Sequence, residues 1–194
     1  MKPVISSQRL ALGPVTVSDA DAVFEYCQDE ELQRFVPLPV PYSRSDAEFF
    51  TGAYATDAAT SPTFSLWAIR LLTGSAPAQG PRPLVGAIEL RFEPLRSATV
   101  GFWLGRPHRG LGIMTEALQT LVEYAFDPEG LALERIHWDA AVGNLASATV
   151  ARRNGFVFEG VSRRALVHRS IRIDSWQATL LRDDPRELAD GWPL

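Results

Sequence analysis

The sequence predicts an α+β domain: a mixed, mostly antiparallel sheet of about seven strands with flanking helices. Three observations carry this. Alternating apolar segments at residues 64–72, 84–92 and up to Gly105 follow one another through turn-forming residues, as in a hairpin-linked meander. The last of them, with Val100, Phe102 and Leu104 alternating, runs through a glycine-rich turn into a helical stretch ending at Phe126. A further strand at 135–141, a helix from Asn144 and two closing strands at 157–161 and 171–181 complete the pattern.

Taken in order, residues 9–17 alternate as a first strand. Ser18-x-x-Asp21 resembles a capping box, and Val23, Phe24 and Cys27 give the helix behind it an apolar side. Residues 30–35 form a short helical turn, and Pro37, Pro39 and Pro41 enforce an extended linker. Ser45-x-x-Glu48 is a second capping box, opening a helix that carries Phe49, Phe50, Ala53 and Tyr54. Residues 73–83, rich in Gly, Pro, Ser and Ala, read as a loop between antiparallel strands. In the central helix Ala117, Leu118, Leu121, Val122 and Ala125 make one apolar face, and Pro128 and Gly130 end the segment. Asn144 reads as an N-cap with Ser147 at N3. Gly155 suits the left-handed position after that helix, with Phe156 packing behind it. Residues 1–182 are expected to form a single domain, and 183–194 a polar tail.

At 194 residues and 46% apolar content, one ordinary domain is the expectation, and 22% charged residues favour folding over disorder. A net charge of −4 argues against nucleic acid as a partner. Arg152, Arg153, Arg163, Arg164 and Arg169 do cluster, as a solvated face or as a local anion contact. The one cysteine, Cys27, excludes an intrachain disulfide and suits a small buried hydrophobe. No apolar run reaches membrane-spanning length, and a cytoplasmic protein is expected, monomer or homodimer. His108, His137 and His168 have no metal-ligand spacing, so no metal is expected.

The chemistry concentrates in residues 109–115, Arg-Gly-Leu-Gly-Ile-Met-Thr. A strand that turns through glycines into a helix leaves main-chain N–H groups unpaired at the positive end of the helix dipole. Such groups suit a phosphate or pyrophosphate. The turn is neither a P-loop nor G-x-G-x-x-G.

Residues 109–117, RGLGIMTEA, resemble the acetyl-CoA motif of the GNAT N-acetyltransferase superfamily. The wording is that of the branch acetylating ribosomal-protein N-termini, although Met114 stands where Gly or Ala is usual. The likeness continues through Asn144, Ser147 and Asn154-Gly155-Phe156, and covers roughly residues 8–182. It implies the GNAT fold, with the strand ending at Leu104 splayed from the strand at 135–141. It also implies acetyl-CoA as cosubstrate and a primary amine as acceptor. Leu104 and Gly105 would offer main-chain groups to the pantetheine arm, and one of the N–H groups there would serve the thioester oxygen. Residues Arg109, Gly110, Leu111, Gly112, Ile113, Met114 and Thr115 would hold the pyrophosphate, with Asn144 beside the arm. Phe35, Phe49 and Tyr54 are acceptor-wall candidates. The tyrosine that many members use as acid is replaced by Ala151, and Ser147 is the substitute. Glu89 is the favoured general base, with Asp139 and Glu116 as alternatives and solvent as another. The acceptor expected is a protein or peptide α-amine, which at a pKa near ~8 deprotonates more readily than a lysine at ~10.4. A small-molecule amine or a non-catalytic acyl-CoA-binding role are the alternatives.

Overall fold

The computed structural model describes residues 3–72 and 81–194. One eight-stranded sheet contains β1 (Ile5–Ser6), β2 (Leu10–Gly13), β3 (Phe64–Leu71), β4 (Leu84–Glu93), β5 (Ser97–Leu104), β6 (Arg135–Ala141), β7 (Val157–His168) and β8 (Ile171–Leu181). Their spatial order is β1-β2-β3-β4-β5-β6-β8-β7. Every neighbouring pair is antiparallel except β5 with β6. A parallel pair needs a crossover, and helix α5 (Ile113–Phe126) provides it.

The expected apolar face of α5 is fully buried. It packs on Ile88, Leu90, Val100, Ile136 and Trp138, which form the main core with helix α6 (Leu145–Arg153). The other side of the sheet carries α1 (Ala20–Tyr26), α2 (Glu30–Phe35), α3 (Arg44–Phe49), a π-helical turn (Phe50–Tyr54) and α4 (Ala55–Thr60). These elements bury Val23, Cys27, Leu32, Tyr42 and Ala47 in a second, smaller core. Burial pushes the Cys27 thiol up to about 12, so it is an inert apolar filler. Among the described residues, no helix is long and apolar enough to cross a membrane.

Several sequence-based boundaries move. The sheet has an eighth strand, β1, only two residues long and too short to register as alternation. The first strand expected at 9–17 is confined to Leu10–Gly13, ending before Pro14. Both N-terminal capping pairs sit two residues earlier than expected, the first on a 3-10 turn (Val17–Asp19) that runs into α1. Thr16 pairs with Asp19, whose carboxylate accepts from the Thr16 N–H at 2.8 Å. Ser43 pairs with Asp46, each side chain accepting from the other's N–H, at 3.2 and 2.8 Å. Ser45-x-x-Glu48 and Ser43-x-x-Asp46 overlap, and spacing alone does not choose between them; Glu48 instead reaches Arg44 one turn back. Strand β7 extends to His168 through a bulge between Ser162 and Leu166, with Arg164 at φ +51°. The loop expected at 73–83 lies, for residues 73–80, outside the described residues. Residues 183–194 pack back on the domain, and Trp192 joins the main core at 9% exposure.

Glu116, in the first turn of α5, ties that helix to the edge of the sheet. Its carboxylate accepts from Ser7 Oγ at 2.5 Å, the Arg9 N–H at 3.1 Å and Arg9 Nε at 2.6 Å. Partial burial acts to raise its pKa, but the bonds from Ser7 and Arg9 outweigh this and hold it below the usual carboxylate range. A carboxyl depressed by folding stabilises the fold above its unfolded pKa of about 4.3, and that contribution is lost as pH falls through the folded value. Glu116→Gln should therefore melt below the wild type at neutral pH. The gap should narrow as pH drops below the unfolded value of about 4.3 and on through the folded one, followed by calorimetry. A gap that stays constant would sink the assignment.

Candidate active site

Two strands part at the centre of the sheet. The β5–β6 pairing runs from Ser97–Arg135 to Val100–Trp138 and stops, although both strands continue. Main-chain groups of an antiparallel strand point alternately to its two sides. Gly105 N–H bonds Val85 O at 2.9 Å, on the β4 side, so Phe102 and Leu104 turn theirs into the opened gap. Of the two residues named from sequence, Leu104 therefore faces the gap and Gly105 does not. The ring of Tyr26 would lie 2.6 Å from a Cβ at Gly105, which is why no side chain can stand there. Phe102, missed in the sequence, was recoverable from the alternation.

Below the gap lies the glycine turn. Gly110 and Gly112 adopt φ +75° and +74°, conformations that ordinary residues avoid. Arg109 N–H donates to Arg106 O, and Glu116 N–H closes the first helical bond on Gly112 O. Between them, the amides of residues 110–115 donate to no main-chain acceptor among the described residues. They form a ready anion cradle at the N-terminus of a 14-residue helix. Gly110, Gly112, Ile113, Met114 and Thr115 line a cleft of about 320 Å³ together with Phe102, Leu104, Asn144 and Ser147. The Ile113 and Met114 side chains are buried and contribute main chain only, while the Leu111 side chain is 59% exposed. The Arg109 guanidinium is committed elsewhere: it meets Asp29 at 2.5 Å, Glu31 at 3.0 Å and Leu104 O at 3.1 Å. It braces the turn against α2. His108 shares a 3.0 Å hydrogen bond with Tyr26 Oη, and its pKa is lowered by burial.

A larger cleft of about 570 Å³ lies on the far side of β5. Phe35, Phe49 and Tyr54, the expected wall residues, all line it, along with the 36–39 linker and Leu166–His168 of β7. The two clefts share Phe35, Val36, Phe102, Trp103, Asn144 and Ser147. Ser147 thus stands at their junction. Asn144 Oδ1 accepts its N–H at 3.2 Å, which caps α6, and Trp138 Nε1 donates to its Oγ at 3.0 Å. With one lone pair engaged by the indole, the hydroxyl hydrogen is free to turn into the junction. Ala151 is fully buried beneath.

Two carboxyls flank this point. Glu89 lies opposite Gly101 across β4–β5, and Asp139 is the next residue of β6 after the last paired one, Trp138. Between them Gly101 leaves a gap: a Cβ there would meet nothing within 4 Å. Glu89 is held by Tyr54 Oη and by Arg91 Nε at 2.7 Å. Among the described residues, no other side chain hydrogen-bonds or ion-pairs with Asp139; burial pushes its carboxyl above the ordinary aspartate range, against the opposing pull of nearby His137 and of its own backbone N–H. Glu116 is placed well outside this group by its bonds to Ser7 and Arg9. Among the described residues, no group of three or more His, Cys, Asp or Glu is placed to hold a metal.

Residues 9–157 match the acetyltransferase (GNAT) domain. The chain belongs to the GNAT acetyltransferase family. The ribosomal-protein-serine acetyltransferase of Escherichia coli is 42% identical over 85 residues, covering 42% of this chain and 46% of that protein. The matched segment thus spans about half the length of that curated relative. In solved structures the fold resembles RimL, a ribosomal-protein alpha-N-acetyltransferase in complex with coenzyme A. The TM-score is 0.76 and the identity 22%, over 92% of this chain and 98% of that one. It also resembles the microcin C7 self-immunity acetyltransferase MccE in complex with acetyl-CoA and AMP. There the TM-score is 0.75 and the identity 19%, over 90% and 93%. Both likenesses are to the fold. Acetyl-CoA is the cosubstrate of this family, and the smaller cleft fits it: unpaired amides for the diphosphate, and the main-chain groups of Phe102 and the Leu104 N–H facing the gap for the amide-bearing arm.

Proposed function

We propose that this GNAT protein acetylates the N-terminal α-amine of a protein or peptide. The observation that carries the reading is the meeting of two clefts at one hydroxyl, Ser147 Oγ. Bound acetyl-CoA would supply the acetyl thioester there. The acceptor amine must arrive neutral. Asp139, raised by burial and beside the open gap, is the better placed carboxyl to take its proton at Oδ; Glu89, engaged by Tyr54 and Arg91, shapes the wall. The Phe102 and Leu104 main-chain groups hold donors toward the gap, where negative charge develops. The Ser147 hydroxyl, its oxygen held by the Trp138 indole, would offer its proton to the departing thiolate when the cofactor is bound. The similarity to the E. coli ribosomal-protein-serine acetyltransferase supports a peptide acceptor.

The test is thiol release from acetyl-CoA with peptides beginning in Ser, Ala or Thr, beside polyamines, amino acids and aminoglycosides. Turnover on peptides, abolished by prior N-terminal blocking, is expected. Turnover confined to small amines would move the acceptor to a metabolite. Tight cofactor binding with no turnover on any amine would make the protein a binder alone.

A further inference from the structure

We infer that Trp192, far along the chain from the site, is a positioning residue for Ser147, acting through Trp138. The inference rests on the proposed role of Ser147 as proton donor. Residues 186–192 do not merely cover the surface. Arg152 Nε donates to Ala189 O at 2.8 Å, and the Ala189 N–H returns a bond to Arg152 O at 3.3 Å. Pro185 O lies so close to Gly155 that a Cβ there would meet it at 2.5 Å. Trp192 Nε1 donates to Phe156 O at 3.1 Å. These contacts fasten the segment to the far end of α6, the helix whose first turn carries Ser147.

The Trp192 ring then packs at a tilt against both Phe158 and Trp138, at centroid distances of 5.3 Å each and interplanar angles of 42° and 56°. Trp138 is where the strand pairing ends. Beyond it β6 has lost its β5 neighbour, so the backbone there is braced on one side only, by β8. Among the described residues, its indole N–H is the one side-chain donor to Ser147 Oγ. An indole in this place fixes the serine hydroxyl only if the ring itself cannot tilt, and Trp192 packs against that ring at 5.3 Å between centroids. A serine released from the indole can swing its hydroxyl back toward helix main chain, as residues of this type do. A misplacement of about 1 Å at a reacting group can cost as much as about 100-fold in rate.

The test compares the intact protein with Trp192→Leu, Trp192→Phe, Ser147→Ala and the double variants. Trp192→Leu should leave the Kd for CoA, by calorimetry, within about twofold, while kcat falls about tenfold or more. In the Ser147→Ala background the same change should cost less than about twofold, since residues that act as a unit are not additive. A readout free of turnover accompanies this. The chain has five tryptophans, and the Trp138 indole N–H signal, assigned by its loss in Trp138→Phe, should exchange with water about tenfold faster in Trp192→Leu. If Trp192→Leu fails to fold, Trp192→Phe, which keeps an aromatic face on Trp138, is judged by the same non-additivity with a loss of about threefold. Equal losses with and without Ser147, or an unchanged Trp138 signal, overturn the inference and leave the serine's role standing. Full activity of Ser147→Ala overturns both.

Discussion

Gly112→Val is expected to weaken CoA binding by about 100-fold or more while the protein still folds. Gly112 sits at φ +74° as the N-cap of α5. A left-handed conformation costs an ordinary L-residue roughly 1–2 kcal/mol, and a β-branched one is a true outlier there. Packing is not the obstacle, because the nearest atom to an added Cβ is Arg9 NH2 at 3.7 Å. The chain therefore relieves the strain by rotating its main chain, and the amides of residues 112–114 rotate with it. Each hydrogen bond to a charged group contributes about 1.5–3 kcal/mol, so losing two costs about 3–6 kcal/mol, or at least about two orders of magnitude in Kd. Calorimetric titration with CoA reads the affinity, and circular dichroism the fold. Leu111→Ala is the control, since that side chain lines neither cleft. Binding of Gly112→Val within threefold of the wild type would remove the glycine turn from the cofactor site.

Asp19→Ala is expected to be the most destabilising single change, at about 3–5 kcal/mol. Arg70 and Asp19 form a bidentate pair, NH1 to Oδ1 at 2.8 Å and NH2 to Oδ2 at 2.7 Å. Both side chains are buried, at 9% and 4% exposure. The guanidinium also donates to Arg82 O at 2.6 Å and Pro14 O at 3.1 Å, so the pair locks β3 to the segment entering α1. Removing the acid leaves a buried cation with no counter-charge, which costs far more than the pair itself contributes. In a domain of this size, each kcal/mol moves Tm by about 2–4 °C, so a drop of about 10 °C is expected in a thermal melt. The double change Asp19→Leu with Arg70→Met should recover most of it. A single variant melting within about 2 °C of the wild type would show that the site admits water.

The glycine turn was legible from sequence because its work is local. Consecutive amides at a helix start, and two positions with positive φ, are consequences of residues 109–116 alone. The same holds for the Asn144 cap and for Gly155, at φ +83°. The α-helix faces were legible for a similar reason, since the apolar spacing of Ala117, Leu118, Leu121 and Ala125 fixes which side is buried. The caps of α1 and α3 were displaced by two residues because overlapping Ser/Thr-x-x-Asp/Glu spacings compete, and only the three-dimensional entry of the chain selects one. In sequence the Arg109 side chain reads either as a surface charge or as an aid to the main-chain grip on the pyrophosphate. Its partners Asp29 and Glu31 lie some eighty positions earlier, where no spacing rule reaches.

The choice between Glu89 and Asp139 shows the division most clearly. Both are acidic residues in strands next to the central one, and nothing in their immediate neighbours separates them. Packing does: Tyr54 and Arg91 close on Glu89, while the end of strand pairing at Val100–Trp138 leaves Asp139 beside an open gap. The sequence by itself determined the strand–turn–helix with its unpaired amides, because that geometry follows from backbone preferences over a few consecutive residues. Only the tertiary structure decided which carboxyl Tyr54 and Arg91 engage, which main-chain groups face the gap, and that the Trp138 indole reaches Ser147 Oγ. Those depend on contacts between residues distant in the chain, whose partners are set by how the sheet and helices pack.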